Sequence, residues 1–304
     1  MNRRHFSQLT GTALAALTGN SLADHHGEKK VAAFKSKFGP HPGLLATGPG
    51  KKADYIDQLK FAHDHGFRGW EDNHLNSQPA AVQEKIGEFM KDTDMEIGIS
   101  VIFFGGAMQF NKLTAENKVA LKKDMLKGVE VAKRTGQTVM TMLPGVRDES
   151  MAREAQIKAS VDGMKFCCDL IEEHGLIMVN EPLSHGIKGG EPLLRSFEDG
   201  HMLCELVNRK SCKLLADYYH EGQIGHGEKF TEITNKVWDQ ISYVQYGASP
   251  GRKEPGTGKL DYVTLTKQLR EKGYTGVIGM EHGASKKGKE GLDALVAAYR
   301  KIDA

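Results

Sequence analysis

From about Val31 onward the chain repeats one unit: a short apolar run, then a longer amphipathic stretch, then another short run. No other feature restricts the fold as strongly, because short strands separated by helices pair in parallel through crossover connections. Candidate strands fall near Phe38 and over Phe67 to Glu71, Ile97 to Phe104, Val139 to Leu143, Leu176 to Val179, Lys213 to Ala216, Ile241 to Gln245 and Gly276 to Met280. Between them, Tyr55, Ile56, Leu59, Phe61 and Ala62 trace a helix that stops at His65-Gly66, a glycine C-terminus signal. Further helices read over Ala80 to Met90, Val119 to Ala132, Ala155 to Ile171, Leu194 to Val207, Tyr262 to Lys272 and Leu292 to Ile302. The sixth helix, between Gly227 and Trp238, has the weakest pattern. Eight such units predict an α/β fold, a single (β/α)8 TIM barrel over residues 31–304. An open doubly wound sheet is the competing architecture, and eight units in register favour closure.

The 304 residues leave room for a barrel of roughly 250 residues and an N-terminal extension. Arg3-Arg4-His5-Phe6-Ser7-Gln8-Leu9 resembles the twin-arginine export motif, followed by the weakly apolar Thr10 to Leu17 and the small residues of Ser21-Leu22-Ala23. Residues 1–23 are therefore expected to be a twin-arginine signal peptide and 24–30 a polar linker. The resemblance implies the twin-arginine export machinery as a partner and a periplasmic location for the mature chain. No later run reaches transmembrane length, so stable membrane insertion is not expected. Net charge is +2, and it is neutral once Arg3 and Arg4 are removed, which offers no footprint for nucleic acid. Cys167, Cys168, Cys204 and Cys212 lack C-x-x-C spacing and read as small core side chains. Oligomeric state is open, a homo-oligomer included.

Active sites of such barrels lie where the strands end. Four polar residues stand there in succession: Glu181, Asp217, Gln245 and Glu281 follow or end the fifth to eighth strands. Neighbouring parallel strands run about 4.8 Å apart, so four such side chains can converge on one point. Three carboxylates and an amide make an all-oxygen site, which favours Mg²⁺ or Mn²⁺ over Zn²⁺. Packed together without a cation, the carboxylates would repel and take up protons. Glu71 ends the second strand and is placed to line the pocket. Arg252 either clamps a substrate carboxylate bidentately or pairs within its own loop, with Glu254.

From Val179 to Ala304 the sequence resembles the hydroxypyruvate isomerase branch of the xylose-isomerase-like barrels. The resemblance rests on Asn180-Glu181-Pro182-Leu183, Ala216-Asp217-Tyr218-Tyr219-His220, Val244-Gln245, the run Pro250 to Gly258, and Gly273-Tyr274 through Met280-Glu281. Toward the N-terminus only Gly66-Phe67 and Trp70-Glu71 echo it. It implies that Glu181, Asp217, Gln245 and Glu281 bind the metal, that both glutamates also move the proton, and that His220 touches a substrate oxygen. The chain departs from the family pattern at Ser184 to Gly190, at Tyr243 and Ala248, and at His282-Gly283 after Glu281. Those positions remodel pocket walls and spare the ligands, so reaction type transfers better than substrate.

The expected activity is a metal-dependent aldose–ketose isomerisation of a small sugar acid or sugar, hydroxypyruvate isomerase-like, through an enediolate. The alternatives are a sugar or ketose epimerase or an inositol-derivative dehydratase on the same barrel, and a non-catalytic secreted binding protein. The intact set of four ligands argues against the last.

Overall fold

The computed structural model describes residues 31–45, 54–102, 110–186 and 190–304. The expected signal peptide and linker lie outside the described residues, as do residues 187–189 of the loop after Glu181. Among the described residues the elements run β1 (Lys37–Gly39), α1 (Tyr55–Asp64), β2 (Gly69–Trp70), α2 (Ala80–Asp92), β3 (Glu96–Ile97), α3 (Ala115–Thr135), β4 (Val139–Met142) and α4 (Arg153–Ile171). They continue β5 (Ile177–Asn180), α5 (Phe197–Val207), β6 (Cys212–Asp217), α6 (Tyr218–Gln223), α7 (Phe230–Val237), β7 (Ile241–Tyr246), α8 (Tyr262–Glu271), β8 (Val277–Met280) and α9 (Gly288–Ile302).

Capping side chains decide where several helices begin. Thr114 accepts from Asn117 N–H, so α3 starts ahead of its apolar periodicity, and Ser196 does the same for Asp199 N–H, so α5 starts later than Leu194. Asp261 accepts from both Val263 and Thr264 at the head of α8, and removing such a cap costs about 1 kcal/mol. Gly136 ends α3 at φ 78°, a conformation that a Cβ disfavours. The weakly patterned sixth unit divides into the short α6 and the amphipathic α7, which explains its faint signal.

The strands β1, β8, β7, β6, β5 and β4 pair in parallel in that order, and β2 pairs with β3. Backbone bonds join the two sheets into a ring. Glu71 N–H donates to Pro40 O at 3.1 Å beside β1 and β2. On the other side Thr141 N–H donates to Ser100 O at 2.9 Å, and Ile102 N–H donates to Thr141 O at 3.0 Å. The result is the closed barrel expected from the eight units, with its third strand paired over a shorter span than its apolar run.

Two apolar layers hold it. The larger lies between strands and helices and includes Phe38, Met140, Met178, Leu214, Val244 and Ile278. The smaller fills the barrel itself with Ile99, Val179, Leu215, Tyr243 and Val277. Each such side chain contributes roughly 1.5–3 kcal/mol by leaving water. Side chains alternate along a strand, so the residues two beyond Val179, Leu215 and Tyr243 point into the same interior. Those residues are Glu181, Asp217 and Gln245. From Val277 the same parity reaches Gly279 and then Glu281. The alternation that fills the barrel thus also delivers the polar set to its C-terminal mouth. All four cysteines are buried and unbridged.

Candidate active site

Asp217 and Gln245 are register partners at the ends of β6 and β7. Asp217 also caps α6: its Oδ1 accepts from Tyr219 N–H at 2.8 Å, which fixes the carboxylate and leaves Oδ2 turned to the mouth. Glu181, at 8 % exposure, follows β5, and Glu281, with its side chain 24 % exposed, follows β8. Ligand atoms of Glu181, Asp217 and His220 all lie within 4.8 Å of one another. Arg252 bridges the other pair: Nη2 donates to Glu281 Oε2 at 2.7 Å and to Asp217 Oδ2 at 3.1 Å. Burial pushes the Glu181, Asp217 and Glu281 carboxyls above the usual carboxylate range, and repulsion from neighbouring carboxylates adds to it at Glu181 and Glu281. The Arg252 guanidinium pulls in the opposite direction.

His220 sits between Glu181 and Asp217, its Nε2 3.7 Å from Glu181 Oε1 and 3.5 Å from Asp217 Oδ2. Its Nδ1 accepts from Ser184 N–H at 3.1 Å, with Ser184 Oγ 2.8 Å away. Burial lowers its pKa to about 3, with the nearby Arg252 charge adding to the effect, so the ring is neutral. A neutral ring that accepts at Nδ1 carries its proton on Nε2. The Nε2–H bond of His220 thus faces Glu181 and Asp217 as a hydrogen-bond donor.

Arg252 does not pair with Glu254. Glu254 is turned away, taking Ser285 N–H at 2.8 Å and the Ser285 hydroxyl. The Arg252 backbone stands at φ 48°, a left-handed conformation uncommon for a side-chain-bearing residue. That turn aims the guanidinium over the Tyr219 ring, 4.6 Å from its centroid, and onto the carboxylates; Nε also donates to Glu281 O at 3.0 Å. With Nη2 shared between two carboxylates, Arg252 balances part of their charge.

Glu71 is 1 % exposed, as deeply buried as Asp217 and Gln245. Its Oε2 accepts from Tyr243 OH at 2.8 Å, and its Oε1 accepts from Gln245 Nε2 at 3.0 Å. Burial beside Glu281 raises its pKa to about 8. A Cβ on Gly279 would lie 1.8 Å from Glu71 Oε2, and one on Gly98 would lie 2.2 Å from Tyr243 OH. These two glycines make room for the pair. Asn73, two residues past Glu71, donates from Nδ2 to Glu281 Oε1 at 3.0 Å. The sequence pattern passes over Asn73 and marks Ser184 and Tyr243 only as changes in the pocket wall. Strand parity from Glu71 was the one available signal for Asn73.

Residues 59–302 match the family described as xylose isomerase-like TIM barrel. The chain belongs to that family. It is 23 % identical to a 2-oxo-tetronate isomerase of Pectobacterium atrosepticum over 263 residues, 84 % of this chain and 95 % of that protein. A hydroxypyruvate isomerase of Escherichia coli is 23 % identical over 160 residues, 51 % of this chain and 58 % of that protein. Among solved structures, a family 2 AP endonuclease from Brucella melitensis superposes with a TM-score of 0.70 at 20 % identity, over 86 % of this chain and 98 % of that one. A 3-keto-D-glucoside 4-epimerase from E. coli gives 0.69 at 16 % identity, over 88 % and 100 %. Those two likenesses establish the fold.

The residues of this xylose isomerase-like barrel fit a divalent cation. Gln245 Oε1 is buried without a hydrogen-bond partner, a costly state for an amide oxygen unless something else coordinates it. It stands beside three carboxylates of which Arg252 neutralises only one equivalent of charge. Three ionised carboxylates and one guanidinium leave two negative charges, which suits a dication.

Proposed function

We propose that this chain is a divalent-metal-dependent isomerase of a small sugar acid, interconverting ketose and aldose forms through an enediolate. The observation that carries this reading is the cluster of Glu181, Asp217 and His220, with Glu281 joined to Asp217 through Arg252 and the unpartnered Gln245 Oε1 on the strand position paired with Asp217. The isomerase class is supported by the sequence relatives, named as 2-oxo-tetronate and hydroxypyruvate isomerases. Glu181, Asp217, Gln245 and Glu281 would hold the ion, and their all-oxygen set favours Mg²⁺ or Mn²⁺. When bound, such an ion supplies Lewis-acid neutralisation of the charge that develops on the substrate oxygens. The carboxylates of Glu181 and Glu281 take the proton from the carbon next to the carbonyl and return it to the neighbouring carbon. A glutamate that ligates through one oxygen can take the proton with the other. His220 Nε2–H donates to a substrate oxygen, and Arg252 offsets part of the charge of Asp217 and Glu281.

The test is product analysis with hydroxypyruvate, 2-oxo-tetronate and a panel of free ketoses, with Mg²⁺ or Mn²⁺ and again after chelation. Metal-dependent aldehyde–ketone interconversion of the acids is expected. Epimers formed from the ketoses would replace this reading with an epimerase, and full activity in chelator would remove the metal from it.

We further propose that the chain is exported to the periplasm through the twin-arginine machinery, on the strength of Arg3-Arg4 and the weakly apolar stretch behind them. Arg3→Lys with Arg4→Lys preserves charge and should strand the precursor in the cytoplasm, with cleavage of the wild type near Asp24. Normal export of the double variant in cell fractionation would exclude this route. No helix among the described residues is long and apolar enough to cross a membrane.

A further inference from the structure

We infer that Glu71 is a positioning residue that holds the Gln245 side-chain amide with its oxygen toward the metal site. A glutamine amide has two ends of nearly equal size and opposite chemistry: the oxygen can ligate a cation and the NH₂ cannot. Free in its pocket, Gln245 would sample both orientations. Glu71 removes the choice. Its Oε1 accepts from Gln245 Nε2 at 3.0 Å, a bond only the NH₂ end can make, and this leaves Oε1 of Gln245 as the buried, unpartnered end. Glu71 is itself held by Tyr243 OH on its other oxygen at 2.8 Å, so it cannot swing away. Gly279 and Gly98 lack the Cβ atoms that would displace Glu71 and Tyr243.

The device spans the barrel. Glu71 comes from β2, and Gln245 and Tyr243 come from β7, on the far side of the intervening β1 and β8. The contact needs only an acceptor oxygen on residue 71, not a charge. A carboxamide there supplies the same acceptor, with its NH₂ turned to the phenol oxygen of Tyr243. An apolar residue of the same length supplies none.

This inference rests on the metal site proposed above, and Mn²⁺ binding separates the two. The full chain is stripped with chelator, and free Mn²⁺ is followed by electron paramagnetic resonance during titration. Loss of an orienting outer partner typically weakens a metal site about 10–100-fold, and Glu71→Met is expected to do so. Glu71→Gln should bind within about twofold of the wild type, the spread of independent sites. The decisive arm places Glu71→Met on Gln245→Glu, whose carboxylate has two equivalent oxygens and no wrong orientation. There Glu71→Met should cause no loss. Should Glu71→Met lose its far-UV signature, Tyr243→Phe, which frees one oxygen of Glu71, replaces it and should show the same dependence on residue 245. Equal weakening in both backgrounds, or none in either, would overturn the positioning role. A wild type that binds no Mn²⁺ would instead overturn the metal site itself.

Discussion

Along β5 to β8 the interior positions run from an apolar or aromatic side chain to an oxygen donor: Val179 to Glu181, Leu215 to Asp217, Tyr243 to Gln245, Val277 to Glu281. Along β1 to β3 and just beyond, the neighbours of those same side chains are glycines. A Cβ on Gly39 or Gly69 would lie 2.7 or 2.8 Å from Val277 Cγ1, and one on Gly98 would meet the Tyr243 hydroxyl. One half of the barrel supplies charge and bulk, and the other supplies room. Among the described residues, two polar side chains cross from the roomy half to the proposed ligand set, Glu71 to Gln245 and Asn73 to Glu281. The difference explains why family motifs concentrate after Val179: chemistry restricts residue type there, whereas the first strands are restricted mainly by volume.

The largest expected effect tests the charged half. Glu181→Gln and Glu281→Gln each remove a ligand charge and a proton acceptor, so kcat should fall at least about 100-fold, or ~2.7 kcal/mol of barrier. A variant retaining more than about a tenth of wild-type kcat, ~1.4 kcal/mol, has lost nothing that a proton carrier must supply. Next comes the space shared by the two halves, where Gly279 on β8 faces Glu71 just after β2. Gly279→Ala forces its Cβ into Glu71 and should lower stability by about 1–3 kcal/mol, the usual cost of overpacking. Adding Glu71→Ala should return most of that loss in a thermal melt, and additivity of the two would break the volume account.

Smaller effects probe the crossings. Asn73→Ala leaves Glu281 Oε1 without its donor, and the loss of one hydrogen bond to a charged group should lower kcat/KM about tenfold. An unchanged value would make Asn73 a bystander. Ser184→Ala should matter least, below about threefold, because the backbone N–H of residue 184 still fixes the His220 tautomer. A large drop with that variant would mean that the hydroxyl, not the backbone, sets the proton on Nε2.

The strand-end positions of Glu181, Asp217, Gln245 and Glu281 were legible in the sequence because strand parity and strand ends are local properties. Val179 predicts Glu181 without knowledge of any other strand. The cross-barrel partners were not. Tyr243 and Gln245 lie 172 and 174 positions from Glu71, and Asn73 lies 208 from Glu281, so only closure of the ring reveals them. Glu71 was legible as a strand-end acid and not in its burial, which depends on Gly279, whose missing side chain carries no periodic signal. Arg252 was legible as a site residue and not in its partners, which follow from a left-handed turn at a residue that is not glycine. The sixth helix stands within its expected bounds as α7, and the extra short α6 was hidden because Asp217 serves as both strand end and helix cap.

The central claim is that one divalent ion binds at the ends of β5 to β8 through four oxygen-bearing side chains. Anomalous diffraction from crystals of the protein grown with Mn²⁺ tests it most directly. The account predicts one strong peak at the barrel mouth, bonded to Glu181, Asp217, Gln245 Oε1 and Glu281, with His220 Nε2 outside the coordination shell. A peak bonded to His220 in place of Gln245, or no peak at the mouth at all, would contradict it.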